Sequence, residues 1–574
     1  MPKTLDLHSL INPSNLASEI GSQWTEWDNK RAKWKEQTKE LRNYLYATDT
    51  KTTGNAILPW SNTTTTPKLT QIADNLHANY FATLFPQRRW FKFEGDTRAA
   101  DDREKSRLVE SWIGNKLARS QFVNTCSELL VDWIHTGNCF AMVGHSSDVV
   151  QKSNGDATVN YVGPVLQRIS PYDIVFDPTS SSFEESPKVI RSFLTLGDIK
   201  RMSKQDPEVA AVFDKMVYAR EQVNTGDAQI DKAQGFIADG FGDIQSYYGS
   251  NYVEVLTFYG DIYDTETGEL LVDRIITVVD RAHVLSNQEN PSWFGSAPIF
   301  HAGWRTRPDN LYAMGPLDNL VGMQYRIDHL ENLKADVFDQ IAYPMTLVQG
   351  DVEDFEFGPG NRIYAGEEGA VSYLRPDATA LQADFQINLL EQKMEEMAGA
   401  PKQAMGIRTP GEKTAFEVQS LQNSASRIFE HKTAHFERTF LEPILNSFLE
   451  IGRRRMVAEE EIKVDEGDPT LTFFSSITKE DIAGSGRLVP LGARHFAERA
   501  RRVQNINQLL MIKQDPTVGA HLSGKAIAKI LADEIGEPTL FGDNISVTEQ
   551  METQQASQNA EADNQEQLMM EAGI

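Results

Sequence analysis

The chain holds only two cysteines, Cys126 and Cys139, in 574 residues. That excludes a disulfide framework as its source of stability and fits a reducing compartment. Neither cysteine has metal-type spacing, so both read as small core residues. No stretch approaches the ~20 uninterrupted apolar residues of a membrane span. The richest one, 129–143, is broken by Asp132, His135 and Asn138. The N-terminus carries Lys3 and Asp6 without an apolar segment behind them, so no secretory signal is expected. Basic residues are scarce: 56 Lys and Arg stand against 82 Asp and Glu, a formal net charge of −26, and none follows Lys529. This balance argues against tight phosphate binding, which rests on Lys and Arg. It suits solubility. It also suits a conduit whose acidic wall lets a polyanion slide instead of stick.

Motifs for catalysis are also missing. There is no Gly-x-Ser-x-Gly elbow, and no spacing of acids singles out an acid/base couple. Gly240-Phe241-Gly242 is no dinucleotide fingerprint. Gly406 to Thr414 nearly spells a phosphate-binding loop, but Glu412 sits between the second glycine and Lys413. The insertion breaks the register in which N–H groups and the lysine converge on phosphates, and its carboxylate would repel the ligand. A nucleotide-dependent enzyme using Gly406–Thr414 is therefore the weaker alternative. His431 and His435 lie four apart beside Glu430 and Glu437 with no third ligand in view, and read as a solvated or subunit-facing pair. No cofactor, metal or catalytic residue is expected.

What is present is helix. Hydrophobic residues make up 40% of the chain and charged residues 24%, the balance of a folded protein with room for about four units of ~150 residues. From Thr409 to Ile451, apolar or small residues recur at Val418, Leu421, Ala425, Ile428, Phe436, Phe440, Ile444, Phe448 and Ile451, with one gap at Lys432. That stripe predicts a helix of ~40 residues, ~60 Å long, a strut suited to a large assembly. Its start is encoded at Thr409 and again at Thr414, where Glu417 completes a capping box; Thr414 is preferred because Gly411 belongs in a loop. Pro443 is expected to kink it.

The other periodicities predict helices over 15–46, ~67–85, ~101–136 and 197–232. The first is locally basic (Lys30, Arg31, Lys33, Lys35, Lys39), with Ile20, Trp24, Trp27, Trp34, Leu41 and Leu45 on one stripe. It reads as docked on the body, or as a contact to a neighbouring subunit. Gly137-Asn138 stops the third helix. Residues 50–66 read as loop and 235–251 as a glycine-rich loop. Short strands are expected at Trp90–Phe93, between Cys139 and ~195, and at Tyr252–Tyr263 paired with Leu270–Val279 across a Thr267-Gly268 turn. Pro316–Ile341 and Ala380–Ala398 are two further helices. The first has Leu317, Leu320, Val321, Gln324, Ile327, Leu330, Leu333, Val337 and Ile341 on its stripe. The second has Leu381, Phe385, Leu389, Leu390, Met394 and Met397. Between them, Tyr343 to ~Thr379 has glycines, prolines and short strand runs. Helices are expected again at 496–512 and 524–536. The Gln-, Asn-, Glu- and Met-rich end, 545–574, is either a disordered tail or helices bundled across subunits.

Thr414-Ala415-Phe416-Glu417-Val418 opening a long helix that ends in Leu441-Glu442-Pro443-Ile444-Leu445 resembles the portal, or head-to-tail connector, proteins of tailed bacteriophages, those of short-tailed phages in particular. Gly315-Pro316-Leu317-Asp318-Asn319-Leu320 after Trp304-Arg305 is similar to the turn that opens the first stem helix in portals. Lys68 to Leu76 followed by Phe81-Ala82-Thr83-Leu84-Phe85-Pro86 resembles the family's early helix. The match covers roughly 55–455. It implies an α+β subunit with an α/β wing, a two-helix stem, a small clip, a long spine helix and a mainly helical crown.

On that reading 1–50 is an N-terminal helical arm, 51–310 the wing, 311–341 and 380–398 the stem helices, and 342–379 the clip. A tunnel loop occupies 399–413, the spine helix 414–466, the crown 467–540 and an acidic tail 541–574. The resemblance further implies a ring, a dodecamer, at one capsid vertex of the virion, assembled in the host cytoplasm. Its partners would be the major capsid protein, the terminase large subunit, a tail adaptor and double-stranded DNA in transit, with no membrane and no enzymatic activity. Lys402, Arg408 and Lys413 would be tunnel-loop cations facing DNA. Leu320, Gln324, Ile327, Phe385 and Leu389 would pack stem helices between subunits. Another phage structural adaptor is the rival reading.

Overall fold

A computed structural model describes residues 4–7, 13–46, 62, 64–86, 90–95, 103–151, 157–204, 207–223, 252–291, 297–350, 364, 370–374, 382–398, 428–456, 459–465, 472–482, 486–492 and 554. In chain order the elements begin with β1 (Thr4–Leu7), α1 (Pro13–Lys30), α2 (Ala32–Leu45), α3 (Lys68–Leu84), β2 (Phe91–Gly95), α4 (Arg103–Arg119), α5 (Phe122–Thr136), β3 (Asn138–Gln151) and β4 (Ala157–Ile169). Next are β5 (Ile174–Phe176), β6 (Lys188–Thr195), α6 (Leu196–Ser203), α7 (Pro207–Val223), β7 (Tyr252–Asp264), β8 (Leu270–Val279), β9 (His283–Glu289), β10 (Ile299–Gly303), β11 (Arg305–Arg307) and β12 (Asn310–Met314). Then come α8 (Val321–Ala342), β13 (Met345–Gln349), β14 (Ala370–Leu374), α9 (Asp384–Ala398), α10 (Glu442–Arg455), β15 (Glu460–Asp465), β16 (Thr472–Ile477), α11 (Lys479–Ile482) and β17 (Gly486–Pro490). The class is mixed α+β; among the described residues the sheets are antiparallel, apart from the parallel pairing of β1 with β7, and none closes into a barrel. No described helix is long and apolar enough to cross a membrane.

The chain divides into two compact units. One holds 1–81, 124–144 and 166–432; the other holds 82–123, 145–165 and 433–574. The boundaries therefore cut through the predicted 51–310 wing.

The first unit is built on the sheet β5-β6-β7-β8-β9, with β1 alongside the far end of β7. Alternation along β7 buries both faces. Leu256 and Phe258 pack with Ile20, Trp24 and Trp27 of α1, whereas Val253 and Val255 pack with Ile199 of α6 and Met216 of α7. The Thr267-Gly268 turn joins β7 to β8 as the spacing predicts, with Gly268 at φ 74°. At the β8–β9 turn, Asp280 and Arg281 take φ values of 51° and 54°. Two bidentate ion pairs hold them there. Arg220 bonds Asp280 at 3.0 Å through both oxygens, and Arg281 bonds Glu254 at 2.8 and 2.9 Å while donating to Thr25 of α1 at 3.1 Å.

Several predicted helices are shorter or divided. The 15–46 helix breaks at Arg31, whose guanidinium turns inward to Asp28 and to the carbonyls of Pro171, Tyr172 and Ile174 at 2.6–2.9 Å. Ile20, Trp24 and Trp27 of its stripe lie in the core beside the sheet, so α1 is docked on the body. The basic look of the segment is partly cancelled by Lys30–Glu26 and Lys35–Asp28 pairs. The 101–136 helix divides at Gln121, which sits at φ 55°. The described part of 197–232 forms α6 and α7, and 224–232 lies outside the described residues. The first rod helix starts at Val321, not Pro316. Residues 315–320 form the turn before it, with the Gly315 N–H donating to Asp318 at 2.7 Å.

That turn meets another. A Cβ on Gly137, at φ 73°, would lie 2.4 Å from the Gly315 nitrogen, so the backbones cross where no side chain fits. Beside them Asn138, fully buried, acts as a piece of backbone: its amide donates to the Ala313 carbonyl and accepts from the Ala313 N–H, both at 2.9 Å. His301 lies 3.0 Å from the same oxygen.

In the second unit β2 pairs with β17, and β15 with β16. Trp112, Phe122, Phe440 and Phe448 are fully buried. Asn446 repeats the device of Asn138, bonding both backbone groups of Leu488 at 2.8 and 3.1 Å. Instead of a simple kink at Pro443, the helix carries a π-helical turn over Glu437–Leu441 just before it, which widens the ladder where the proline lacks a donor. The predicted spine helix to 466 ends at Arg455, and β15 follows. Residues 472–490, placed in the crown, are largely strand: β16 pairs with β15, and β17 covers β2. The N-terminal part of the spine (414–427) and the helices at 496–512 and 524–536 lie outside the described residues, as does the tail except Gln554.

Candidate assembly surface

α8, the β13–β14 ribbon and α9 form a helix–hairpin–helix rod in the first unit. α8 has 22 residues, so it runs ~33 Å. Its two ends differ. At the base, Leu317, Leu320, Gln324, Ile327 and Leu330 are buried. Beyond Leu330 no residue of α8 is buried, although the apolar stripe continues through Leu333, Val337 and Ile341. Leu333 and Ile341 are each 41% exposed, and Phe338 55%. α9, which packs on α8, has Met394 and Ala398 buried toward its C-terminal end and Phe385 and Leu389 in water. All five residues of β13 are exposed, Met345 and Val348 among them. Of 22 large exposed apolar side chains among the described residues, 13 lie between Tyr325 and Met397. A two-stranded ribbon wet on both faces is marginal by itself. Apolar surface gathered on one projection in this way marks a contact surface.

Two polar devices hold the rod to the body. Lys68, at the start of α3, is buried and bonds Glu395 of α9 at 2.6 Å, with Glu391 3.6 Å away. Along α8, Gln324, Asp328, Asn332 and Asp336 stand four residues apart and grip an antiparallel strap. Gln324 donates to the Thr66 carbonyl at 2.6 Å and accepts from the Leu69 N–H at 3.2 Å. Asp328 accepts from the Thr66 N–H at 3.0 Å. Asn332 accepts from the Thr64 N–H at 2.7 Å and donates to the Thr64 carbonyl at 3.1 Å. Asp336 accepts from the Asn62 N–H at 2.6 Å, and Asp339 takes the Asn62 amide at 2.7 Å. Four helical residues rise ~6.0 Å and two extended residues ~6.6 Å, so the two chains stay in step. Midway, Lys334 of α8 bonds Asp384 of α9 at 2.6 Å.

Burial divides the five residues expected to pack stem helices between subunits. Leu320, Gln324 and Ile327 are at most 1% exposed within their own chain, so they anchor the rod to its body and cannot reach a neighbouring subunit. Phe385 and Leu389, 77% and 42% exposed, remain available for that role. Sequence reasoning passed over Tyr325, Phe338, Tyr343 and Met345, whose helical or strand spacing matched no single stripe. It also took Gln324 as part of the apolar stripe; the four-residue spacing of Gln324, Asp328, Asn332 and Asp336 was the signal of the ladder. Lys402, Arg408, Lys413 and the whole Gly406–Thr414 loop lie outside the described residues.

Among the described residues no group of three or more His, Cys, Asp or Glu is placed to hold a metal. Burial pushes the thiols of Cys126 and Cys139 well up, as befits core residues. Lys432, the gap in the long stripe, is half-buried against the Trp304 ring and donates to the Trp304 carbonyl. No protein-family model matches the chain, and no curated protein is significantly similar to it in sequence.

Proposed function

We propose that the chain is the subunit of a portal ring, through which double-stranded DNA enters and leaves a phage capsid. The observation that carries the reading is the half-wet stripe of α8. Its base is satisfied by the chain itself, whereas among the described residues its tip, the ribbon and the outer face of α9 stay exposed. Side-by-side copies would bury these flanks, at roughly 1.5–3 kcal/mol for each large apolar side chain covered. The rods so packed would line a shared pore. The α+β class and the order helix–hairpin–helix between Val321 and Ala398 support this reading over a shorter structural adaptor, which is expected to lack paired rods.

In this reading α8 and α9 are the stem, the β13–β14 ribbon is the clip that meets the terminase large subunit and later a tail adaptor, and the sheet unit belongs to the wing against the capsid protein. The chain performs no catalysis; terminase supplies the energy. The net charge of −26 discourages phosphates from adhering to the wall. Lys402, Arg408 and Lys413 are proposed as weak, transient phosphate contacts. The test is negative-stain imaging of purified protein. Closed rings with a central hole, twelvefold by the resemblance, are expected. A chain that stays monomeric or dimeric over a wide concentration range would overturn the reading.

A further inference from the structure

We propose that the strap bearing Asn62, Thr64 and Thr66 is a pH-gated clasp on α8, held while the Asp328 carboxyl is protonated and loosened when it ionises. The clasp lies within the first unit and stands whether or not the rod lines a pore.

The geometry at Asp328 is lopsided. Its Oδ1 accepts from the Thr66 N–H at 3.0 Å and from the Gln324 amide at 2.9 Å. Its Oδ2 is buried with no hydrogen-bond partner, and the residue is 4% exposed. An ionised carboxylate there leaves half its charge facing no donor. A proton on Oδ2 removes the charge, leaving an uncharged O–H whose lack of a partner costs less, and keeps both bonds to Oδ1. Lifting the strap lets water reach the oxygen, so the free state favours ionisation.

Among the described residues, no cation acts on the Asp328 carboxyl. On α8 the neighbours are Tyr325, His329 and Glu331. From α2 come Tyr44, whose phenol is pushed up by burial and then by Asp328, and Glu40 beyond it. The Lys68 ammonium of α3 is committed to Glu395 and Glu391 of α9. Thr64 and Thr66 bring no charge. Burial accordingly raises the Asp328 carboxyl from 3.8 to about 6, against the opposing pull of the Thr66 N–H and the Gln324 amide.

The direction follows from linkage. A carboxyl whose docked value lies above its free value supports docking fully below pH ~4. That support falls away as pH climbs toward ~6 and stays low above it. Between pH 4 and 7 the docking constant should drop about fiftyfold.

Hydrogen–deuterium exchange on the full chain tests this, read on peptides covering Asn62–Leu69 and normalised to intrinsic exchange at each pH. Wild-type protection should fall about fiftyfold between pH 4 and 7. Asp328→Asn, which puts an N–H₂ donor in place of the protonated oxygen, should remove the slope. Asp336→Asn, on an outer rung, should keep it. Wild-type protection constant within about threefold overturns the proposal. So does a slope that survives Asp328→Asn or disappears in Asp336→Asn.

Discussion

The Lys68 ammonium lies 2.6 Å from the Glu395 carboxylate, across 327 residues of sequence, and both side chains are 6% exposed. The pair ties the start of α3 to the base of α9. Removing one partner strands the other charge in a dry site. Lys68→Met is expected to cost about 3–5 kcal/mol of unfolding free energy, and Lys68→Met with Glu395→Leu distinctly less. Denaturant unfolding of the four-member cycle measures the coupling; additive single effects would show that the pair is not energetically joined.

The two ends of the rod should respond differently to charge. Phe385→Asp with Leu389→Asp alters side chains already in water, so folding should be unchanged while assembly fails. Ile327→Asp buries a carboxylate at the base and should destabilise the fold by several kcal/mol before assembly is in question. Circular dichroism paired with light scattering separates the outcomes. Rings that persist in the Phe385/Leu389 variant would remove those residues from the interface.

Asn138 holds both backbone groups of Ala313. Asn138→Ala should leave an N–H and a carbonyl without partners, at roughly 1–3 kcal/mol for each. Asn138→Asp keeps the acceptor but sets a buried carboxylate oxygen against the Ala313 carbonyl, so near neutral pH it should cost at least as much as Asn138→Ala. Thermal unfolding of the three proteins gives the order.

Burial pushes His135 down from 6.5 to about 4. The unfolded chain takes up a proton at pH 6.5 and the folded one does not, so the stability held by neutral His135 is complete above 6.5 and drains away toward pH 4. On the order of 2 kcal/mol should be lost across that window after allowance for solvent screening. His135→Gln should flatten this part of the stability–pH curve. An unchanged curve would show that the imidazole is wetter than its surroundings suggest.

What could be read from the chain, and what could not, divides along a physical line. β7 and β8 were legible because their alternation and the Thr267-Gly268 turn are local. Gly137-Asn138 was legible as a helix stop, but the need for Asn138 was not, since its partner Ala313 lies 175 residues away. Arg31 breaks a helix that periodicity alone continues, because the carbonyls that attract it are 140 residues on. Of the proposed stem residues, Phe385 and Leu389 are exposed, whereas Leu320, Gln324 and Ile327 are inside. A hydrophobic stripe states that something covers it. It does not state whether the cover is the same chain.

β2 and β17 are neighbours in one sheet, with Gly95 opposite Gly486. A ribosome releases the first of these strands long before it makes the second. Until then Phe93 has no roof and β2 offers an open edge to any passing strand. The second unit therefore cannot finish folding during most of translation, and nascent chains cut short before Gly486 should be the ones that chaperones retain.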